Sequence, residues 1–182
     1  MTFSYIAIDN QLIEQAKKEA KRRMEFGFRG PIIETQYKAN MILISCIGEL
    51  IMQRFLDSKG IAYKNVDSNF SGRELIIHSK KYEIRTSGFE KDFTRLNLIY
   101  NVEQYSESLD KGIDYVLQIF INGYKQNSNG FEDSNCNKAI IVGYIDFDLI
   151  GKYPIEQNRH RPNYKVPLDD LIDVGNILKS DI

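Results

Sequence analysis

The sequence predicts a mixed α/β (α+β) fold in which helices flank a central mixed β-sheet. Two observations predict this class. Before Gly60, apolar residues recur at helical spacing in two long stretches, and after it short apolar runs of strand length alternate with turn signals. No linker divides the 182 residues, so we expect one domain with its core at residues 38–150.

The first predicted helix covers residues 10–26 and follows a cap at Asp9 or Asn10. The second covers residues 38–58 and stops at Lys59-Gly60, a typical C-terminal signal. The second helix is mostly apolar, which indicates burial on most sides. Glu49 is therefore an acid within an otherwise core-like helix.

Extended structure is predicted for most of the remaining chain. Strands are expected at residues 61–66, 74–78, 81–86, 113–121 and 139–145. Residues 94–102 alternate as a strand does, although a helix running into 103–110 is the alternative. We predict a flexible loop at 122–137. The tail, residues 151–182, is predicted to be irregular, with a short strand near Tyr164–Val166 and a helical turn after Pro167.

The strands at 74–78 and 81–86 read as a β-hairpin with one polar and one apolar face. A loop of Ser79-Lys80 places Glu74 opposite Arg85, with Glu83 as a diagonal neighbour roughly 7–8 Å from Glu74. Two glutamates can span that gap around one cation, and such oxygen ligands suit Mg²⁺. Exposed strands also carry Glu and Arg as a solvated ladder, so the hairpin alone leaves both interpretations open.

Charge, cysteine content and hydropathy bear on the partners and the cellular location of the protein. A net charge of -1 provides no general attraction to nucleic acid, although a local basic surface is compatible with it. Cys46 and Cys136 are too few and too far apart in sequence for a disulfide framework or a zinc site. We see no signal peptide and no apolar run near the roughly 18 residues of a membrane span. A cytoplasmic location without membrane contact is expected.

Taken together, these segments resemble the PD-(D/E)XK nuclease superfamily, which includes restriction endonucleases. Ile47-Gly48-Glu49-Leu50 is similar to the helical glutamate motif of some members. Glu83-Ile84-Arg85 stands at the (D/E)XK tripeptide and is followed by Thr86-Ser87, while Glu74 stands where the first Asp is expected. The resemblance covers roughly residues 42–121 and implies a restriction-endonuclease-like core.

The resemblance implies a Mg²⁺-dependent endonuclease, with Mn²⁺ as a substitute, that hydrolyses phosphodiester bonds of DNA or, alternatively, RNA. Glu74, Glu83 and the Ile84 carbonyl would hold the metal, and Glu49 would bind it through water or hold a second ion. Such a metal acidifies a bound water and polarises the scissile phosphate. Cutting both strands of a duplex favours a homodimer.

Further residues complete the predicted site. Arg85 would orient the phosphate, and Gln118 is either an accessory site residue or a core-edge amide. Candidate contacts to the nucleic-acid backbone are basic side chains: Lys80, Lys81, Arg95, Arg159, Arg161 and Lys165.

The chain departs from the family pattern at both ends of the motif. Asp67 is an alternative to Glu74 as the first acid. Arg85 replaces the family lysine, and arginine keeps its proton, so it cannot act as a general base. The alternative function is therefore a catalytically degenerate member that binds nucleic acid or a protein partner.

Overall fold

A computed structural model of the chain describes residues 3–25, 35–66, 74–89, 92–123, 135–157 and 161–179, with the backbone alone at 35–38. Asp67, Arg159 and most of the loop predicted at 122–137 lie outside these residues.

Two long helices lie between β1 (Ser4–Ala7) and the remaining strands. Helix α1 (Asn10–Glu25) begins after Asp9, whose carboxylate accepts a hydrogen bond from the Leu12 amide at 2.8 Å, as the predicted cap requires. Helix α2 (Thr35–Lys59) begins earlier than the predicted residue 38. It ends at Gly60, whose φ of 68° is the left-handed conformation expected at this C-terminal signal.

Within the described residues the other elements are nine strands and two further helices, with bounds as follows: β1 (Ser4–Ala7), β2 (Tyr63–Asn65), β3 (Glu74–Ile77), β4 (Lys80–Phe89), β5 (Asn97–Asn101), α3 (Val102–Leu109), β6 (Tyr115–Asn122), β7 (Lys138–Asp146), α4 (Phe147–Ile150), β8 (Ile155–Gln157) and β9 (Pro162–Pro167). Short 3-10 turns follow at Leu168–Asp170 and Val174–Lys179. Strand β1 was not predicted.

Six strands form the main sheet in the order β1-β7-β6-β4-β3-β2. Strands β4 and β6 pair in parallel, and the other neighbours are antiparallel. The predicted mixed sheet with helices is therefore confirmed.

A second sheet, in the order β5-β9-β8, is built largely from the tail. The short strand predicted near Tyr164–Val166 is confirmed as part of β9, and the helical turn predicted after Pro167 is present at Leu168–Asp170. The prediction that the rest of the tail is irregular is wrong for β8. Leu98 and Tyr100 of β5 and Val166 of β9 are fully buried. Because β9 pairs with β5, the tail contributes apolar side chains to the same core. Strand β5 and helix α3 follow one another directly, so both alternatives predicted for residues 94–110 occur, in succession.

The main sheet has an apolar core on each face. Leu117 and Ile119 of β6 pack with the residues of α1 and α2, and we call this face the helix side. Val116 and Phe120, which alternate with them, pack with β5, α4 and residues 166–171 of the tail on what we call the tail side. Side chains that alternate along a strand of the hairpin therefore enter different cores.

Helix α2 is long and apolar enough over Ala39–Lys59 to cross a membrane, so the expectation that no segment approaches this length was wrong. However, 61% of its apolar window is buried inside the fold. Burial of this extent is what the core helix of a soluble protein shows.

Candidate functional site

The β3–β4 hairpin turns at His78-Ser79, one residue before the predicted loop. Both residues have positive φ, 49° and 63°, as a two-residue turn matched to the strand twist requires. Glu74 pairs with Glu83, so the predicted pairing of Glu74 with Arg85 is wrong by two residues. Because a shift by two residues preserves the alternation, every side chain keeps its predicted face.

Asp114 accounts for the position of this turn. Its carboxylate accepts a hydrogen bond from the Lys80 ammonium at 2.9 Å and from the Lys81 amide at 2.8 Å. Its own amide donates to the Lys81 carbonyl at 2.9 Å. These contacts hold Lys80 within β4, where the sequence had suggested a loop residue.

The apolar face of the hairpin is buried as predicted. Leu75, Ile77, Tyr82 and Ile84 all belong to the core on the helix side. The Ile84 carbonyl was a predicted metal ligand. Ile84 lies between Glu83 and Arg85, whose side chains point to the tail side.

Glu74 and Glu83 face one another and are both buried, at 5% and 7% exposure. Residues directly opposite in an antiparallel pair have Cβ atoms about 4.5–5.5 Å apart, and like charges there repel. Each carboxylate has its own cation: the Lys81 Nζ lies 2.9 Å from Glu74 Oε2, and the Arg85 Nη1 lies 3.2 Å from Glu83 Oε1. We call Glu74, Lys81, Glu83 and Arg85 the acid–base cluster.

Tyr100 of β5 completes the surroundings of Glu83. Its hydroxyl donates a hydrogen bond to Glu83 Oε2 at 2.5 Å and lies 3.2 Å from the Ser108 hydroxyl oxygen. Burial and the nearby Glu83 carboxylate raise the pKa of Tyr100, so the hydroxyl keeps its proton. Tyr100 therefore fixes the orientation of Glu83.

The Arg85 guanidinium is held on two further sides. Its carbon atom lies 4.5 Å from the centre of the Tyr100 ring, and its Nη2 donates to Gln104 Oε1 at 3.0 Å. Sequence reasoning missed Tyr100 and Gln104. The available signal was a tyrosine among the apolar positions of a predicted strand, because a buried tyrosine hydroxyl usually needs a partner.

Gln118 lies beside Arg85 in the parallel β4–β6 pair, and its side chain is fully buried. Its Nε2 donates to the Ile119 carbonyl at 2.8 Å. Its Oε1 has no hydrogen-bond partner within the described residues. The β6–β7 register also shifts between Gln118 and Ile119, an irregularity of the kind found beside active sites.

The structure does not bring Glu49 to the acid–base cluster. Helix α2 lies on the helix side of the sheet, whereas Glu83 points to the tail side and contacts Tyr100. Both Glu49 oxygens accept hydrogen bonds from the Arg23 guanidinium, at 2.8 and 2.5 Å. Although burial opposes charge on Arg23, the bonds to Glu49 raise the pKa of Arg23, so the pair is ionic. Glu49 thus anchors α1 to α2.

The cluster offers two carboxylates as ligands for a divalent cation. Among the described residues, no three His, Cys, Asp or Glu side chains lie close enough to hold a metal, so Glu74 and Glu83 are a pair. Mg²⁺ commonly takes only one or two carboxylates, with waters and substrate phosphate as further ligands. The buried Gln118 Oε1 is a further acceptor atom on the strand beside Arg85.

The predicted backbone contacts other than Lys81 have surroundings of their own. Lys80 is paired with Asp114 and Lys165 with Glu156, at 2.9 and 2.8 Å. The Arg95 side chain is 90% exposed, and Arg161 is half-buried before β9. Lys81 differs, because it belongs to the cluster itself.

No family model, curated protein or solved structure matches this chain. The functional interpretation therefore rests on its residues and their geometry.

Proposed function

We propose that this protein is a divalent-metal-dependent endonuclease acting on DNA, of restriction or mobile-element type and cytoplasmic. The supporting observation is the acid–base cluster: two facing carboxylates with a lysine and an arginine, buried on one face of a mixed sheet. The spacing of Glu74, Glu83 and Arg85 in the sequence, which resembles the PD-(D/E)XK pattern, supports the same proposal.

In this proposal the carboxylates of Glu74 and Glu83 hold the cation. When bound, a divalent cation supplies an acidified water and polarises a phosphoryl oxygen. Tyr100 keeps one Glu83 oxygen in place through its hydrogen bond. The carboxylates are thus oriented before substrate arrives, which lowers the cost of ordering the site.

Arg85 binds the scissile phosphate. Its bonds to Glu83 and Gln104 engage one hydrogen on each terminal nitrogen, and each of these nitrogens carries a second hydrogen. The Tyr100 ring restricts the guanidinium plane. A fixed guanidinium suits bidentate recognition of phosphate oxygens and stabilises charge that develops on them.

Lys81 supplies the proton transfer that Arg85 cannot. Arginine keeps its proton in proteins, whereas a lysine ammonium can release one. The Lys81 Nζ lies 2.9 Å from Glu74 Oε2 and donates to the Lys111 carbonyl at 2.8 Å. In this role Lys81 protonates the leaving oxygen of the cleaved phosphodiester.

The test is cleavage of supercoiled plasmid with Mg²⁺ or Mn²⁺, with EDTA as the metal-free control. We expect nicked and linear products, and a rate loss of roughly 100-fold or more for Glu74→Gln and Glu83→Gln, because each removes a charge from the site. The matched control is Glu14→Gln, which removes an exposed acid paired with Lys17 and should leave the rate unchanged. Absence of cleavage of both DNA and RNA, with no metal bound, contradicts the proposal.

A second candidate is a catalytically degenerate relative that binds nucleic acid or a protein. The favouring observation is that Lys81 and Arg85 already neutralise both carboxylates without a metal. This candidate predicts binding without turnover. It also predicts binding that is unaffected by Glu83→Gln, whereas the endonuclease loses its metal-dependent activity.

The cytoplasmic setting is supported by the cysteines. Cys46 and Cys136 are both buried, and neither forms a disulfide. Unbridged cysteines are typical of a reducing compartment.

A further inference from the structure

We propose that Gln118 is a ligand-binding residue of the acid–base cluster. Its Oε1 accepts a hydrogen bond from a water that coordinates the divalent cation held by Glu74 and Glu83. This inference deepens the proposed function and rests on it for the cation. Gln118 lies on the β4–β6 strand pair and is fully buried. Its Oε1 accepts no hydrogen bond from the described residues, and the inference gives this atom a role.

The position of Gln118 places it next to the cluster. In the parallel register Gln118 lies opposite Arg85, and Glu83 lies opposite Val116. Val116 belongs to the core on the tail side, and Gln118 is two residues further along the same strand, so it points to the same side as Glu83 and Arg85. The amide therefore borders the face on which the carboxylates meet.

The hydrogen bond that Nε2 donates determines the orientation of the Gln118 amide. Nε2 donates to the Ile119 carbonyl at 2.8 Å, and exchanging nitrogen and oxygen would place two acceptors against each other. Oε1 is therefore the atom that points away from the strand backbone. The register shift between Gln118 and Ile119 accompanies this local bond.

A fully buried acceptor without a donor is unfavourable, because it has lost its water and gained nothing in return. Native structures seldom retain one unless an ordered water or a ligand supplies the donor. The neighbouring chemistry selects the donor, because Glu74 and Glu83 are acceptors and attract a hydrated cation. A water held by such a cation is a strong hydrogen-bond donor.

A purely structural amide predicts different behaviour. If Gln118 only fills the core, an apolar side chain of similar length should keep or raise stability and leave metal binding unchanged. If Gln118 binds a metal-held water, the same change should weaken metal binding while the fold is retained. The two readouts together separate the roles.

The experiment is a Mn²⁺ titration, followed by electron paramagnetic resonance, on the full chain and on Gln118→Met, with thermal unfolding in parallel. We expect Gln118→Met to bind Mn²⁺ about tenfold more weakly, the lower end for loss of a residue that orients metal ligands. Its Tm without metal should stay within about 2–4 °C of the original value or rise. If Gln118→Met does not fold, Gln118→Asn withdraws the amide by one methylene and should weaken binding in the same direction.

The matched control is Thr86→Val. Thr86 Oγ1 is also buried without a hydrogen-bond partner among the described residues, but it contacts Gly48 on the helix side. Removing the Thr86 hydroxyl should leave the Mn²⁺ affinity unchanged.

The outcomes distinguish this inference from the proposed function. Mn²⁺ binding that is equal in the original chain and in Gln118→Met overturns the role of Gln118 alone. Weaker binding in Gln118→Met together with no cleavage by the original chain supports the role of Gln118 and overturns the nuclease. Absence of Mn²⁺ binding by the original chain overturns both.

Discussion

At the scale of residues, the buried charges are arranged in pairs. Glu74 contacts Lys81, Glu83 contacts Arg85, and Glu49 contacts Arg23, each within 3.2 Å. Burying an unpaired carboxylate costs far more than burying one that is paired and hydrogen-bonded. Removing a single partner from any of these pairs therefore affects stability, which is why the activity tests above replace glutamate with glutamine, a side chain of the same size.

The turn of the hairpin gives a prediction about stability. Ser79 has a φ of 63°, a conformation that costs a non-glycine residue roughly 1–2 kcal/mol. Ser79→Gly relieves this cost but increases the freedom of the unfolded chain. We expect the free energy of unfolding to rise by about 0.5–1 kcal/mol, measured by urea denaturation.

The control for Ser79→Gly is Gly60→Ala. Gly60 has a similar φ of 68°, and a Cβ there meets no atom within 4 Å, so the substitution tests backbone conformation alone. Its free energy of unfolding should fall by about 1 kcal/mol. A loss of stability in Ser79→Gly would show that the turn does not lie at His78-Ser79.

At the scale of elements, the close contact of α2 with β4 depends on Gly48. A Cβ at Gly48 would lie 1.8 Å from Thr86 Oγ1 and 2.8 Å from Thr86 Cβ. Gly48→Ala should therefore lower the free energy of unfolding by about 1–3 kcal/mol, because the helix must move away from the strand.

A double-mutant cycle tests this contact. Thr86→Gly removes all the clashing atoms, so Gly48→Ala should cost much less in that background. Thr86→Ala keeps its Cβ and should relieve the clash only in part. Equal costs of Gly48→Ala in the three backgrounds would mean that Gly48 is required for another reason.

Sequence patterns predicted the faces of the hairpin better than its register. Alternation places Glu74 and Glu83 on one side for any even shift, so the wrong turn did not affect that result. The turn itself was unpredictable because His78 and Ser79 lack the usual Gly or Asn, and because Asp114, far along the chain, holds Lys80 in the strand.

Partners distant in sequence account for the other differences. Tyr100 reaches Glu83 only because β5 pairs with β9 of the tail and packs over the main sheet. The sequence pattern showed Glu49 as an acid within a core-like helix, but it did not show that Arg23 contacts it. The helices and central strands, whose periodicities are local, were predicted close to their actual bounds.

At the scale of the whole molecule, stability should depend on acid pH through Glu19. A hydrogen bond from Arg22, followed by one from Arg23, lowers the pKa of Glu19 from 4.5 to about 2. The folded carboxylate thus holds its proton less tightly than the unfolded one. Its contribution is present above pH 4.5 and is lost as the pH falls towards about 2.

Urea denaturation at a series of pH values measures this contribution. Glu19→Gln should be less stable than the original chain at pH 6, and the difference should shrink as the pH falls below 4.5. Glu14→Gln, which removes a mostly exposed acid paired with Lys17 on the same helix, is the matched control. A difference that does not change with pH would mean that Glu19 acts through packing.

The parallel pairing of β4 with β6 has a consequence for folding kinetics. It joins residues 82–89 to 115–122, and β5 and α3 lie between them in the chain, so the centre of the sheet depends on contacts that are distant in sequence. Such pairing has high contact order, because the entropy of closing the intervening loop must be overcome before any contact is gained. The hairpin can form locally, but Arg85 meets Gln118 only when this crossover closes. A partly folded chain therefore carries both carboxylates of the cluster before Tyr100 and Gln118 are in place beside them.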